Sequence, residues 1–538
     1  MTWKAWAEGG LGGSLRSEQH YDDRSMLCFS ERPPNLAAMF RDLVERFGER
    51  PAIVDHRTLT YRDLDGIVQS IAFGLTELGI ARGDRVAILL GNCWEFLACT
   101  LACNLCGAIV VPIGTRQRQA EMEFLLNDCG AKVLIFEAEL AKAVPPRAAL
   151  EALAHMFVVR GDWPGAQPLS ALLSARRFEQ ARPVSEEDTA IILYTSGTTG
   201  QPKGAELTHF SILHSSLAFA RSNGLTEHDR ALVAVPLSHV TGLVGVALST
   251  MIAGGCVVLM HQAYKTPDFL ALASRERITY SILVPTIYTL CVMHPELSSY
   301  DLSSWRIGCF GGAPMPIATI ELLAKQLPQL ELINAYGATE TTSPTTIMPR
   351  EWWRDHMDSV GQVVPYAVVK IVDDDGQAVT AGKAGELWIA GPMVVPRYWK
   401  RPDANAKEFS GGFWRSGDVG SIDSEGFVRI YDRKKDMINR GGYKIFSSEV
   451  ENVISRIEGV LESAIVGRAD PVLGERVHAV VVVVGNDQAL SEASIRDFCA
   501  ERLSDYKVPD SVAISYDPLP RNANGKIQKA LLRNLKVD

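Results

Sequence analysis

Apolar residues fall along this chain in short runs of four to six, separated by longer stretches with helical spacing. The first such stretch, 35–47, reads as an amphipathic helix ended by Gly48. Residues 52–54 and 59–60 read as a short hairpin. Thr60-Tyr-Arg-Asp63 then opens a helix with a capping-box pattern, Asp standing for Glu, which runs to about Leu78 and stops at Gly79. Strands at 86–90, 109–112 and 132–136 alternate with helices at 94–106 and 120–127. After a weakly patterned surface connection over 137–187, the alternation resumes with strands at 190–194, 231–235, 256–260, 280–284, 307–311 and 332–335. This rhythm predicts parallel βαβ units with helices on both faces of the sheets.

From about Val368 the pattern turns to β, with short strands at 369–372, 386–390 and 427–431. Asp373-Asp-Asp-Gly376 lacks the spacing and distal Glu of a calcium loop and reads as a hairpin turn. Beyond the charged stretch 432–436 comes a small α+β unit with helices at 448–457 and 492–504 and strands at 462–466 and 478–484. The predicted fold class is α/β. A large N-terminal domain of two doubly wound α/β halves plus a β-rich subdomain (35–433) is followed by a small mobile α+β C-terminal domain (434–538). Residues 1–34, rich in glycine and poor in periodicity, read as an irregular extension. A length of 538 residues also calls for more than one core.

Composition narrows the chemistry. A net charge of −9 argues against nonspecific nucleic-acid binding, which needs a basic footprint. No run approaches the ~18 apolar residues of a membrane span, the N-terminus shows no signal-peptide core, and the terminal Lys-Val-Asp is no targeting address. A cytoplasmic protein without an integral membrane segment is expected. Ten cysteines in so long a chain are not a disulfide framework. Cys99, Cys103 and Cys106 stand at i, i+4, i+7 on one apolar helix face, where cysteine acts as a small hydrophobe rather than a metal ligand.

The densest candidate chemistry follows the strand at 190–194, in Tyr194-Thr-Ser-Gly-Thr-Thr-Gly-Gln-Pro-Lys-Gly204. Gly197 and Gly200 let backbone amides approach a ligand, forming an anion-binding nest. Thr195, Ser196, Thr198 and Thr199 add hydroxyl donors, and Lys203 adds a cation. A polyphosphate is the natural ligand, although the spacing Gly197-x-x-Gly200-x-x-Lys203 is not that of a Walker A loop. Two further motifs sit at strand ends, where such sheets collect ligands. They are Gly311-Gly312-Ala313-Pro314 and Tyr336-Gly337-Ala338-Thr339-Glu340. Glu340 suits magnesium, which takes one or two carboxylates plus phosphate oxygens. Thr339 suits the α-phosphate, and the Tyr336 ring suits stacking on adenine.

These motifs, in this order, resemble those of the AMP-forming adenylating enzymes, the superfamily of acyl-CoA synthetases, peptide-synthetase adenylation domains and beetle luciferases. The resemblance runs from about Leu36 to Lys529. It implies that Gly311–Pro314 contacts adenine and that Asp418, in Ser416-Gly417-Asp418, accepts both ribose hydroxyls with Arg433 beside it. Lys435 takes the hinge position. Gly441, Gly442 and Lys444 fall in the segment that lines the pantetheine channel, and His239, in Pro236-Leu-Ser238-His239, is the gate between carboxylate site and thiol tunnel. Lys526, in Pro520-Arg521-Asn-Ala-Asn524-Gly525-Lys526, is the implied catalytic lysine of adenylation. The departures are the N-terminal extension and Ile113-Gly-Thr in place of the commoner Asn after Val-Pro.

The implied activity is that of an AMP-forming carboxylate–CoA ligase using ATP, Mg2+ and coenzyme A. The implied pocket, near 239–245, 310–312, 335 and 341–343, is apolar, small or hydroxylic and carries no fixed cation. It favours a medium-chain fatty or aryl acid. A stand-alone adenylation enzyme loading a carrier protein shares every motif, an oxidative luciferase-like use is remote, and a non-catalytic nucleotide-sensing module should have lost Lys526 or Glu340. The sequence leaves a homodimer open.

Overall fold

The computed structural model describes residues 11, 13–21, 24–173, 176–178, 182–195, 201–313, 315–483, 490–521 and 527–533. Two large sheets form the centre. One has seven strands, with Arg85–Leu89 between Ile109–Pro112 and Ala131–Glu137. The other has nine, with Arg230–Val233, Tyr280–Leu283, Ile307–Phe310 and Glu331–Tyr336 running parallel and side by side. The expected helices are present. Leu36–Phe47 is capped by the Asn35 side chain, and Tyr61–Glu77 opens on the Thr60/Asp63 capping box. Trp94–Cys106 ends at Gly107 with φ +77° and is buried along nearly its whole length. Its cysteines pack in the core, and all ten cysteines are free and buried.

The two sheets do not divide the chain as its order suggests. Strand Thr189–Thr195, which the alternation groups with the second half, joins the first sheet beside Ile109–Pro112. Strand Pro51–Val54, from the first half, lies in the second sheet beside Cys256–Leu259. Period-2 and period-3.6 patterns identify elements, but the choice of sheet depends on long-range pairing. The weakly patterned 137–187 connection also holds His155–Val159, which extends the first sheet and buries Phe157, Val158 and Val159.

A five-stranded antiparallel sheet follows, including Val368–Val372, Gly385–Ala390, Phe413–Ile422 and Val428–Arg433. The C-terminal unit has its own five-stranded sheet, with Val460–Asp470 and Gly474–Val483 paired along their length, and its own apolar core around Ile438, Val450, Ile465 and Val481. Among the described residues no helix is long and apolar enough to cross a membrane.

The N-terminal segment corrects the expectation of an irregular extension. Leu15–His20 and Arg24–Phe29 form an antiparallel hairpin. Arg32 locks it down, forking onto Glu18 (2.7 and 2.8 Å) and onto Glu186 (both 3.0 Å). Two buried histidines of the helix His209–Ser222 receive its backbone. Phe29 N–H donates to His214 Nε2 at 3.2 Å and Leu36 N–H to His209 Nδ1 at 3.4 Å. These contacts join residues more than 150 apart, which local periodicity does not report.

Burial pushes the pKa of His209 down to about 4 and that of His214 down to about 3. A base whose folded pKa is depressed binds protons more readily when unfolded. Its contribution is therefore whole above about pH 6.5 and is lost as pH falls toward 4. Between pH 7 and pH 5 each histidine should withdraw about 2 kcal/mol, and protonated His214 Nε2 can no longer accept from Phe29. Thermal melts at the two pH values should show a clear drop at pH 5. An unchanged melting temperature would contradict this role.

Candidate active site

The site lies where the C-terminal ends of strands from the two sheets meet the antiparallel sheet. Strand Thr189–Thr195 turns back as Lys203–Thr208, so the hydroxyl- and glycine-rich loop joins an edge hairpin rather than a strand and a helix. Ser196, Gly197, Thr198, Thr199 and Gly200 lie outside the described residues, as do Pro314 and Lys526. Of that loop the structure places Thr195, whose hydroxyl donates to the Lys203 carbonyl at 3.4 Å, and Lys203 itself.

Gly311 follows, and Tyr336 ends, one of two adjacent parallel strands. A Cβ on Gly311 would meet the Ala335 carbonyl at 2.3 Å, and Gly312 has φ +78°. Only glycine lets this turn pass so close to its neighbour and then reverse. It leaves Gly311, Gly312 and Ala313 as a small-residue shelf at the strand end. Gly337 then leads into the short 3-10 turn Thr339–Thr341.

Tyr336, Asp418 and Arg433 form one cluster. Asp418 and Arg433 are directly opposed across the pair Phe413–Ile422 and Val428–Arg433. Arg433 Nε stands 2.6 Å from Asp418 Oδ1, and Tyr336 O–H donates to Asp418 Oδ2 at 2.6 Å. Ser416 Oγ accepts the Asp418 N–H and donates to the Leu387 carbonyl, which sets the carboxylate's backbone. Burial and the Asp418 charge push the Tyr336 phenol far above its ordinary range, so it remains a donor. Arg433 stays protonated: burial is the largest single influence and opposes its charge, but Asp418, Tyr336, Glu340 and Asp436 together outweigh that cost.

Glu340 is tied in by residues the motifs did not flag. Tyr398, almost fully buried, lies 2.9 Å from Glu340 Oε1 and 2.8 Å from Glu408 Oε2. Lys203 Nζ pairs with Glu408 Oε1 at 2.6 Å and rests 4.4 Å from the Tyr398 ring centre. The same segment is pinned by Trp399 N–H to the Gly204 carbonyl (2.7 Å) and Val395 N–H to the Glu340 carbonyl (2.9 Å). The strand Lys203–Thr208, Glu340 and Tyr398 thus form one braced unit. Burial raises the Glu340 pKa, and among the described residues no Lys or Arg pairs with its carboxylate. A desolvated carboxylate with no fixed cation fits a divalent ion shared with phosphate oxygens.

If Tyr398 aims Glu340, Tyr398→Phe should raise the Mg2+ concentration for half-maximal rate by about tenfold and leave the acid KM nearly unchanged, as loss of an outer-shell partner does. Equal loss at all Mg2+ concentrations would instead mark it as structural.

His239 lies at the mouth of the π-helical stretch Thr241–Leu248 and donates its backbone N–H to the Pro236 carbonyl. Burial, with Arg116 adding to it, lowers its pKa to about 4, so the imidazole is neutral at working pH. The strand end before it is clamped by Asn92. Its side chain donates to the Val233 and Val235 carbonyls (3.2 and 3.0 Å) and accepts the Leu237 N–H (2.8 Å).

The C-terminal candidates stand apart from this cluster. Gly441 (φ +60°) and Gly442 (φ +91°) are the two-residue turn between Ile438–Arg440 and Tyr443–Ile445. Lys444 pairs with Asp374 of the antiparallel sheet at 3.3 Å. Lys435 is exposed next to Arg533, whose guanidinium donates to its carbonyl.

The description "AMP-binding enzyme" matches residues 40–399, two thirds of the chain. The chain belongs to the AMP-binding enzyme family. The family's C-terminal domain matches residues 449–526, the small unit described above. The long-chain-fatty-acid–CoA ligase FadD13 of Mycobacterium tuberculosis is 36% identical over 476 residues, covering 88% of this chain and 92% of that one. The feruloyl-CoA synthase of an Amycolatopsis species is likewise 36% identical over 476 residues, covering 88% and 93%. The crystal structure of the anthranilate CoA ligase AuaEII with anthranoyl-AMP superimposes with a TM-score of 0.85 at 26% identity, covering 93% of this chain and 96% of that chain. The mixed α/β architecture with a large N-terminal and a small C-terminal domain is that of the family.

Proposed function

We propose that this member of the AMP-binding enzyme family is an AMP-forming carboxylate–CoA ligase acting on a medium-chain fatty or aryl acid. The observation that carries the reading is the joining of the Asp418–Arg433–Tyr336 cluster to the Glu340–Tyr398–Lys203 unit at one set of strand ends. That arrangement offers a diol acceptor, an aromatic face, a cation ligand and a phosphate-loop lysine. Relatives named for a long-chain fatty acid and for ferulate support a fatty or aryl acid, with the chain length resting on the small and apolar pocket residues.

In this reading Asp418 accepts the ribose hydroxyls, the Gly311–Ala313 shelf and Tyr336 hold adenine, and Thr195, Thr339 and Lys203 hold the phosphates. Glu340 would hold magnesium, which would supply charge neutralisation for the phosphates. The acid carboxylate attacks the α-phosphorus, the bond to pyrophosphate breaks, and Lys526 stabilises the charge that develops. Positioning and electrostatics suffice, since phosphoryl transfer asks little covalent work of the protein. Neutral His239 gates the path to the thiol. The small domain turns about Lys435 so that Gly441, Gly442 and Lys444 line the channel through which the CoA sulfur attacks the adenylate and releases AMP.

The test is pyrophosphate and thioester formation over a panel of aliphatic, aryl and dicarboxylic acids. Turnover with medium-chain or aryl acids is expected. Strict preference for acetate or a dicarboxylate would overturn the acid class. Adenylate without CoA thioester would move the acceptor to a carrier protein.

A further inference from the structure

Strands Arg85–Leu89 and Ala131–Glu137 of one sheet and Cys256–Leu259 of the other bring three side chains together just beyond or at their ends. These are Cys93, Glu137 and His261. The Cys93 sulfur, a Glu137 carboxylate oxygen and a His261 ring nitrogen all lie within 4.8 Å of one another. Cys93 is fully buried and Glu137 is 5% exposed.

Their hydrogen bonding is incomplete. Glu137 Oε1 accepts the Gly91 N–H at 3.1 Å. Its other oxygen stands 3.8 Å from His261 Nε2, beyond a hydrogen bond. His261 Nδ1 is buried with no partner among the described residues. Arg160, the nearby guanidinium, is engaged by Asp55 and Glu95, both at 3.2 Å. A buried carboxylate that no Lys or Arg pairs with among the described residues, an unsatisfied imidazole nitrogen and a thiol side by side call for an occupant.

We propose that Cys93, Glu137 and His261 bind a divalent cation of the zinc class. One sulfur, one nitrogen and one oxygen donor suit zinc and exclude the all-oxygen preference of magnesium and calcium. Tetrahedral zinc holds ligand atoms about 3.5 Å apart, so the three donors close on the ion by about 1 Å of side-chain movement, with water at the fourth position. On binding, the Cys93 S–H bond breaks, its proton passes to solvent, and the sulfur bonds the ion. The ion links the two sheets directly beside Asn92, whose side chain clamps the strand end leading to His239. Its role is to stiffen that seam. The other Cys/His/Glu group, at Glu18, His20 and Cys28, already has Arg32 forked onto its carboxylate and has less to gain from an ion.

The test uses the full-length protein and Co2+ as a coloured substitute for zinc. One equivalent should give a thiolate-to-cobalt charge-transfer band and release about one proton per ion. Equimolar Zn2+ should abolish the band, whereas excess Mg2+ should not. Cys93→Ser should eliminate the band, and His261→Ala should weaken binding more than about 100-fold. No band in the wild-type protein, or a band surviving in both variants, would overturn the site. Should a variant not fold, X-ray absorption of the zinc-loaded wild-type protein decides. One sulfur with nitrogen and oxygen neighbours is expected, and none, or two or more, overturns it.

Discussion

Replacing Lys526 with alanine will lower the rate of adenylate formation by about 10²–10³-fold, the usual loss when one donor to developing transition-state charge is removed. The pyrophosphate leaving group and the α-phosphoryl oxygens concentrate more negative charge at the reacting centre than Lys203, which shares its charge with Glu408 at 2.6 Å, answers alone. The cation that answers that charge is assigned to Lys526, in the sequence Asn524-Gly525-Lys526. The loss should be confined to the first half-reaction. Acyl adenylate supplied from outside should still pass to CoA at close to the wild-type rate, because that step is assigned to the Gly441–Lys444 face. Separate stopped assays of pyrophosphate release and of thioester formation from added adenylate check both parts. Equal loss in both would remove the division of labour on which the mechanism rests.

Asp418→Asn will act on binding and on stability together. Asp418 is 5% exposed and accepts from both Arg433 and Tyr336. Asparagine keeps the shape but removes the charge that pairs with Arg433 and one of the two acceptor oxygens offered to a ribose diol. Breaking a buried ion pair from one side costs roughly 3–5 kcal/mol. Arg433, a third exposed, recovers part of that through water, so a loss of about 2–3 kcal/mol is expected. The KM for ATP should rise by at least about tenfold, while the KM for the acid, which the proposed function does not place on Asp418, should barely move. Steady-state kinetics with each substrate varied, alongside denaturant unfolding, separate the two effects. An unchanged ATP KM in a folded variant would take Asp418 out of the nucleotide site.

The sequence is most legible where chemistry is local. The loop from Tyr194 to Gly204, the Gly311–Pro314 turn and the Tyr336–Glu340 motif carry their donors within a few residues, so they are legible without any fold. The helix at Trp94–Cys106 and the capping box at Thr60 and Asp63 are likewise set by near neighbours. What stayed hidden depends on partners far apart in the chain. Tyr398 sits in an aperiodic stretch and acquires meaning only through Glu340, 58 residues away. Asn92 clamps backbone more than 140 residues on. The N-terminal hairpin looks featureless because its order comes from Arg32, Glu186, His209 and His214 rather than from its own pattern. The assignment of Thr189–Thr195 and Pro51–Val54 to opposite sheets reflects the same limit, since strand partners are a tertiary choice.

The most direct test of the central claim is the stoichiometry of one turnover. ATP carrying labels in the α- and γ-phosphates, a medium-chain or aryl acid and CoA would be incubated with the enzyme, and every phosphorus product counted against thioester. One AMP and one pyrophosphate per thioester, with enzyme-bound acyl adenylate accumulating when CoA is withheld, is the predicted result. ADP and inorganic phosphate as the products, or thioester formed with no adenylate intermediate, would contradict it.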